Sequence, residues 1–320
     1  MRRLFSDANY DFIAMRKRAY MGSGIALLLT AVFAIYWQAT TGSWLKYGVD
    51  FTGGTVMQVE VFKPTSEGQL RAMVEAVFPD GGTEVTKLDD RYLIRTPTST
   101  AADATSNGNT VRAVLTKTFG GETAYKVHST DNVSAKVGGE LAQKALLAIL
   151  VSFGATLIYL AIRFEWRFGL AAVLATAHDV LLTIGVIVIF RLDVSLESVA
   201  AILTVVGYSL NDTVIIFDRI RENMKGKRVM DLKAILNQSI NETLPRTILT
   251  VTTTLSTLFA LFLLGGDIIR TFATIMIVGI LLGAYSSIFV ASPALLEIER
   301  RWPRPVQTTV RKRAPGAVRA

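Results

Sequence analysis

Among the ionisable side chains within long apolar stretches of the chain, the candidates for chemistry are His178, Asp179, Asp212 and Arg246. A charged side chain near the centre of a membrane-spanning helix costs about 2.5–3.5 kcal/mol on insertion scales, so such residues usually serve a function. A carboxylate there can bind and release a proton, and a nearby guanidinium stabilises its charged form. A helix movement that separates the two groups therefore changes the proton affinity of the carboxylate. The sequence predicts proton coupling through Asp212, with Arg246 as its electrostatic counterpart.

Both residues of this predicted pair also have a structural interpretation. Asp212 is flanked by Ser209, Asn211 and Thr213, which could hold water or hydrogen-bond to another helix, and its alternative is a buried structural ion pair. The alternative for Arg246 is a side chain that extends along its helix to the membrane surface. Charge-neutral substitution separates the two interpretations, because an asparagine at position 212 removes protonation and preserves shape.

The neighbouring residues His178 and Asp179 fit a proton relay and a contact between helices equally well. Adjacent positions point about 100° apart on a helix, so one of the two can face a different neighbour from the other. Both interpretations remain open at this stage.

The composition places the chain among membrane proteins. Its hydrophobic fraction is 51%, its charged fraction 19% and its mean hydropathy +0.40, all on the apolar side of ordinary soluble composition. The net charge is +8, but the basic residues flank apolar runs instead of forming one soluble face, which argues against nucleic-acid binding. Cysteine is absent and only two histidines are present, which excludes thiol catalysis and a histidine-rich metal cage. We expect no enzyme activity, no metal and no cofactor.

Six apolar runs are long enough to cross a bilayer. They lie near Tyr20–Trp37, Leu141–Ile162, Phe168–Phe190, Ser198–Phe217, Leu244–Leu264 and Ile269–Leu295. The predicted segments are an N-terminal tail at 1–19, a first membrane helix at 20–37, an inserted domain at 38–140, five helices at 141–295 with a loop at 218–243, and a basic tail at 296–320. The Lys and Arg residues gather in the tails and in that loop, so the positive-inside rule puts these segments in the cytoplasm and the inserted domain outside.

The inserted domain has the pattern of a small α+β fold. Predicted strands at Thr55–Lys63, Glu84–Leu88, Arg91–Thr96 and Tyr125–Asn132 and helices at Ser66–Phe78 and Thr110–Phe119 give the order βαββαβ. That order is typical of a ferredoxin-like domain. Pro79–Gly82 predicts a turn, and Pro97–Asn109 predicts a flexible connection.

Three motifs give the chain a family resemblance. They are Val-Asp-Phe-Thr-Gly-Gly-Thr at 49–55, which contains Asp50, Gly53 and Gly54; Ala-His-Asp at 177–179; and the segment from Gly207 to Asn223, which contains Asn-Asp-Thr at 211–213. In these motifs the chain resembles the SecD/SecF family of bacterial protein-export membrane proteins, within the RND-type transporter superfamily. The resemblance extends over nearly the whole chain.

The resemblance implies an architecture and a set of partners. It implies a membrane all-α, six-helix RND-type half-bundle with an inserted periplasmic ferredoxin-like domain, paired with the six helices of SecD in the bacterial inner membrane. It further implies work with the SecYEG channel, the SecA motor and the YajC protein, in which the proton-motive force promotes translocation of a preprotein. In that family the functional membrane charges fall on Asp212 and Arg246 of this chain, and a further aspartate belongs to SecD.

Three other functions compete with proton-driven export. A passive scaffold of the export complex would use Asp212 and Arg246 as a structural pair. An exporter of drugs or lipids usually carries both halves of the transporter on one chain. An intramembrane aspartyl protease needs two membrane aspartates, and Gly265-Gly266-Asp267 resembles its motif only weakly.

Overall fold

The computed structural model describes most of the chain. The described residues are 9–78, 83–88, 90–96, 101–133, 135–226, 231–265 and 267–303. The turn predicted at Pro79–Gly82 and most of the predicted C-terminal tail lie outside these ranges.

Six helical segments of the described chain are long and apolar enough to cross a membrane, which confirms the six-helix prediction. They are formed by α1 (Arg16–Thr41), α5 (Ala135–Arg163), α6 (Trp166–Ile189), α7 (Leu196–Gly226), α8 (Leu232–Leu264) and α9 (Asp267–Ser286), which continues through a π-helical turn (Ser287–Ala291) into α10 (Ser292–Arg301). The end of the bundle that carries Arg163, Arg219 and Arg300 is called the basic end below.

The prediction of a loop at 218–243 is wrong, because most of this segment is helical. Helix α7 continues to Gly226 and α8 already begins at Leu232. The charges that interrupt the apolar pattern pair with one another at the basic end: Arg219 contacts Glu242 at 2.5 Å, and Asn223 donates to the Ser239 hydroxyl at 2.9 Å. These contacts between helices stabilise a helical hairpin that extends beyond the apolar runs.

The N-terminal segment clamps the first turns of α8. The Tyr10 and Ile13 N–H groups each donate to an asparagine side chain of α8, Asn241 and Asn237, at 3.0 Å. The Lys233 ammonium and the Asn237 amide, both beside Asp11, lower the pKa of its carboxyl. The tail predicted at 1–19 is therefore helical from Ile13 onward and packs on the bundle.

The inserted domain, called the sheet domain below, has the predicted βαββαβ order. Its elements are β2 (Gly54–Val61), α3 (Glu67–Glu75), β3 (Glu84–Leu88), β4 (Arg91–Thr96), α4 (Ala101–Phe119) and β5 (Tyr125–Val133). The four strands form an antiparallel sheet in the order β3-β4-β2-β5, with both helices packed on one face around Met57, Leu70 and Leu115. The prediction of a flexible connection at Pro97–Asn109 is wrong for residues 101–109, which form the first part of α4.

Helices α7 and α9 cross at two glycines of α9, Gly279 and Gly283. A Cβ atom at Gly279 would lie 2.2 Å from the side chain of Val205, and one at Gly283 would lie 2.9 Å from the Cβ of Ser209. Small residues spaced by four positions let two membrane helices approach closely. This close approach brings Ser209 of α7 and Ser286 of α9 near the same carboxylate, that of Asp179.

A two-stranded parallel ladder joins the sheet domain to the bundle. Strand β1 (Lys46–Tyr47), which follows α1, pairs with β6 (Asp193–Val194), which connects α6 to α7. A short helix, α2 (Val49–Thr52), then leads from β1 into β2 of the sheet.

Candidate functional site

Asp212 lies inside the bundle on helix α7. Its side chain is 2% exposed, and its Oδ2 atom has no hydrogen-bond partner among the described residues. A buried carboxylate oxygen without a donor is costly, since nothing replaces the water that it has lost. Protonation of such a group would remove the charge that burial penalises.

Three contacts between α7 and α8 show how Arg246 lies relative to Asp212. The pairs Tyr208–Thr254, Arg219–Glu242 and Asn223–Ser239 fix one antiparallel register for the two helices. In this register Arg246 lies about one helical turn, roughly 5.4 Å, nearer the basic end than Asp212.

The two charged side chains are near each other without direct contact. The Asp212 Oδ2 atom has no hydrogen-bond partner among the described residues, so the Arg246 guanidinium does not donate to it. Pro245, directly before Arg246 in α8, has no N–H to donate to the carbonyl of Asn241, which weakens the helix at this point. A small bend at Pro245 would therefore change the distance between the two charges.

Arg246 belongs to a polar surface that no described part of the chain covers. Its side chain is exposed, and so are Thr253 and Thr257 on the same helix. On α7 the exposed positions Gly207 and Asn211 continue this surface. Lipid is a poor environment for a guanidinium and an amide, so we infer that another polypeptide covers this surface, called the α7/α8 polar face below.

A second polar cluster is centred on Asp179, which is fully buried. Its Oδ2 accepts hydrogen bonds from the hydroxyls of Ser209 on α7 and Ser286 on α9, the latter at 2.6 Å, and its Oδ1 lies 2.9 Å from His178 Nδ1. Every polar atom of this carboxylate is thereby satisfied. Asp179 connects three membrane helices.

The imidazole of His178 extends the same cluster to a fourth helix. Its Nε2 lies 2.9 Å from the Ser23 hydroxyl of α1, which in turn lies 3.3 Å from the Tyr285 hydroxyl of α9. His178 and Asp179 thus face different neighbours, as expected for adjacent positions on a helix. The name Asp179 hub is used below for Ser23, His178, Asp179, Ser209, Tyr285 and Ser286.

The three residues that flank Asp212 in sequence, Ser209, Asn211 and Thr213, face different surroundings in the structure. Ser209, one turn away on α7, belongs to the Asp179 hub, and Thr213 is buried. Asn211 lies on the α7/α8 polar face. The hub thus comes within one helical turn of Asp212, whereas Asn211 is directed away from it.

The motif glycines and Asp50 lie at the other end of the bundle. Gly53 and Gly54 have φ angles of 76° and 139°, which side chains rarely adopt, and a Cβ at Gly54 would lie 2.7 Å from the carbonyl oxygen of Thr96. These glycines turn the chain from α2 into β2. The Asp50 carboxylate accepts a hydrogen bond from the Leu196 N–H at 3.0 Å, a contact that the sequence does not predict.

From the sequence, Ser209 was identified only as a neighbour of Asp212, and Ser23, Tyr285 and Ser286 of the Asp179 hub were not identified. Hydroxyl side chains are frequent in these helices, and most of the others donate to a carbonyl of their own helix, as Thr250 does to Arg246. One signal was available: Ser209 and Asp212 are spaced by three residues and so share a helix face.

The described chain contains no group of three or more His, Asp or Glu side chains close enough to hold a metal ion. The groups of the site allow three kinds of change. A proton can bind to and leave Asp212, the distance to the Arg246 charge can change, and α7 can transmit this change.

Comparison with known proteins identifies the family. The family model for the C-terminal region of the protein export membrane proteins SecD and SecF matches residues 112–301, and the model for the SecD/SecF GG motif matches residues 39–64. The chain is 44% identical to the protein translocase subunit SecF of Gemmatimonas aurantiaca, an alignment that covers 95% of this chain and 91% of that protein. For the same subunit of Rhodothermus marinus the identity is 40%, with 93% and 96% covered.

Two solved structures share the fold. SecDF of Thermus thermophilus, described as a translocon-associated membrane protein, superimposes with a TM-score of 0.78 at 36% identity, over 92% of this chain. SecDF in a super-membrane-facing form gives a TM-score of 0.64 at 34% identity. This chain spans 39% of the SecDF polypeptides, which carry SecD and SecF parts together. The chain therefore belongs to the SecD/SecF family of protein export membrane proteins, as a SecF-type subunit of the protein translocase.

Proposed function

We propose that this subunit is half of a proton-driven motor in the bacterial inner membrane. Paired with SecD, it uses the proton-motive force to promote translocation of preproteins through the SecYEG channel, after SecA has acted and together with YajC. The protons pass through Asp212, and no enzymatic step and no cofactor takes part. The observation that carries this proposal is the buried, unpartnered Asp212 carboxylate next to the charge of Arg246.

The coupling follows from the geometry of the two charges. When Asp212 is ionised it attracts Arg246, and when it is protonated the attraction is lost, so the two protonation states favour different positions of α7 and α8. One charge that crosses the membrane potential releases about 2.3 kcal/mol per 100 mV, enough to bias a rearrangement between two states. Proton flow is thereby converted into helix movement.

The orientation follows the distribution of basic residues. With the basic end in the cytoplasm, both termini are cytoplasmic and the sheet domain is periplasmic. Preproteins emerge from the channel on the periplasmic side, where the sheet domain can move against them. This orientation is part of the proposal.

Substitution of Asp212 by asparagine tests the proton-coupled role. We expect preprotein translocation into inverted inner-membrane vesicles to lose the component that depends on a proton gradient, about tenfold or more, while the complex assembles at wild-type abundance. Glu297→Gln is the matched control, because it makes the same kind of change at a carboxylate outside the candidate site. The Glu297 side chain is half-exposed at the basic end and pairs with Arg16 at 3.4 Å. Unchanged gradient dependence in Asp212→Asn would leave the passive scaffold as the better explanation.

The α7/α8 polar face is the expected contact surface for SecD. A photo-crosslinking residue in place of Asn211 should give an adduct with SecD in membranes. The same residue in place of Leu28, on the exposed apolar side of α1, should give mainly lipid adducts. Equal yields of SecD adducts at the two positions would show that the polar face is not the interface.

A further inference from the structure

The GG-motif segment lies where the sheet domain meets the bundle. Asp50 is on the short helix α2, four residues before β2 begins at Gly54. The two motif glycines turn the chain from α2 directly into β2, and Phe51 of α2 packs on the bundle core. Asp50 therefore lies at the junction of the sheet domain and the bundle.

The same carboxylate holds the first turn of α7. The Leu196 N–H donates to Asp50 Oδ2 at 3.0 Å, and the Ser198 N–H donates to the Ser195 hydroxyl at 3.4 Å. The first N–H groups of a helix have no partner within the helix, and its N-terminus attracts negative charge. Asp50 supplies both an acceptor and a charge at this end of α7.

Asp193, three residues before Leu196, forms two ion pairs at the same junction. It pairs with Arg95 of β4 at 2.8 Å and with Lys46 of β1 at 3.3 Å. The Gly48 N–H donates to the carbonyl oxygen of Val194 at 2.8 Å. All these contacts fall on residues 193–196, at the start of α7.

A cavity of about 570 Å³ lies at this junction, lined by Asp50 and Asp193, by sheet residues such as Gln58 and Thr130, and by Arg270 and Thr271 of α9. The sheet face thus does not pack broadly on α9. The junction is held by the contacts at residues 193–196 and by the packing of α2 on α5, where a Cβ at Gly138 would lie 2.8 Å from the Phe51 carbonyl oxygen.

We propose that Asp50 is a positioning residue that fastens the sheet domain to helix α7, so that the domain and the helix that carries Asp212 move as one unit. Asp212 lies sixteen residues after Leu196, about 24 Å along a continuous helix. A shift of α7 at Asp212 is thereby carried to the sheet domain without any intervening loop. This assignment gives the GG motif a mechanical role, and it rests on the proposed proton-driven function.

The test compares Asp50→Ala with Asp131→Ala, an exposed carboxylate on β5 beside the same cavity. At equal complex abundance, Asp50→Ala should lose at least three-quarters of the gradient-dependent translocation, and Asp131→Ala should retain it. Asp50→Asn, which keeps an acceptor oxygen for the Leu196 N–H, should recover part of the loss. A full gradient-dependent component in Asp50→Ala would overturn the proposal.

A disulfide bond across the junction provides a second test. If Asp50 acts by linking the sheet domain to α7, a covalent link should restore gradient-dependent translocation in Asp50→Ala. Tyr47 and Val194 are ladder partners in β1 and β6, and neighbouring strands bring Cα atoms within the range of a disulfide. The chain has no native cysteine, so Tyr47→Cys with Val194→Cys gives a single defined bond. Oxidation of this pair in the Asp50→Ala background should restore at least half of the lost component, and reduction should abolish it again.

Two outcomes separate this proposal from the proposed function. If Asp212→Asn abolishes gradient dependence but quantitative cross-linking fails to rescue Asp50→Ala, the fastening role is wrong and the proton motor stands. If Asp212→Asn has no effect, the proton motor itself is wrong, and the fastening proposal falls with it.

Discussion

Replacement of Asp179 by alanine is expected to destabilise the bundle by about 2–5 kcal/mol, since it removes the acceptor for hydrogen bonds from Ser209, Ser286 and His178 at once. Interhelical hydrogen bonds in membranes contribute about 0.6–2 kcal/mol each. The buried Ser209 hydroxyl would lose its acceptor, whereas the Ser286 hydroxyl would keep the Gly283 carbonyl oxygen at 3.2 Å. The midpoint of thermal unfolding of the purified subunit with SecD in detergent should fall clearly below that of the wild type.

Asp179→Asn is the matched control for this prediction. Its side-chain oxygen still accepts a hydrogen bond and its shape is unchanged, so most of the stability should remain. An unfolding midpoint for Asp179→Ala equal to that of the asparagine variant would contradict the assignment of Asp179 as a structural hub. Gradient-dependent translocation in the stable asparagine variant also separates packing from relay, because a relay requires a group that titrates.

Replacement of Gly283 by valine is expected to force α9 away from α7 and to cost about 2–3 kcal/mol. The first added carbon alone would lie 2.9 Å from the Cβ of Ser209 and 3.1 Å from its Cα, so the backbone itself must shift. Such a shift also pulls Ser209 and Ser286 apart at the Asp179 hub. The yield of folded complex after size-exclusion chromatography should fall severalfold.

Gly154→Val controls for the substitution itself. Gly154 is also a helical glycine, on α5, and a Cβ there meets nothing within 4 Å. Folded yield close to that of the wild type is expected. Equal losses at positions 154 and 283 would mean that the effect comes from the change of residue type and not from the crossing of α7 and α9.

The sequence predicted the six helices because the bilayer sets their minimum length and excludes charge from their centres. It failed where helices extend past the apolar region: residues 218–226 and 232–243 are charged and amide-rich, as loops are, yet form helix. The contacts that decide the matter, such as Arg219–Glu242 and those of Tyr10 and Ile13 with α8, join residues distant in sequence. No local pattern contains that information.

For the candidate site, too, the sequence identified the residues but not their contacts. Ionisable residues in apolar runs are rare, so Asp212, Arg246, His178 and Asp179 were identifiable by type alone. Which of them are satisfied was not: Asp179 has three donors, whereas Asp212 Oδ2 has none among the described residues. This difference depends on the crossing of α6, α7 and α9, and it is the reason that we propose Asp212, not Asp179, as the proton carrier.

Asp50 illustrates a further limit. The sequence identified this residue only as part of a family motif, and the partner of its carboxylate is a backbone N–H at Leu196. Backbone groups carry no residue-type signal, so a contact of this kind emerges only from the fold.

Proton uptake into proteoliposomes tests the central claim most directly. The subunit reconstituted with SecD should take up protons when a membrane potential is imposed across the vesicle membrane, as reported by an internal pH dye. Asp212→Asn should reduce the initial rate at least tenfold, and Glu297→Gln should leave it unchanged. Equal rates for wild type and Asp212→Asn, at equal amounts of reconstituted complex, would contradict the claim that protons pass through this carboxylate.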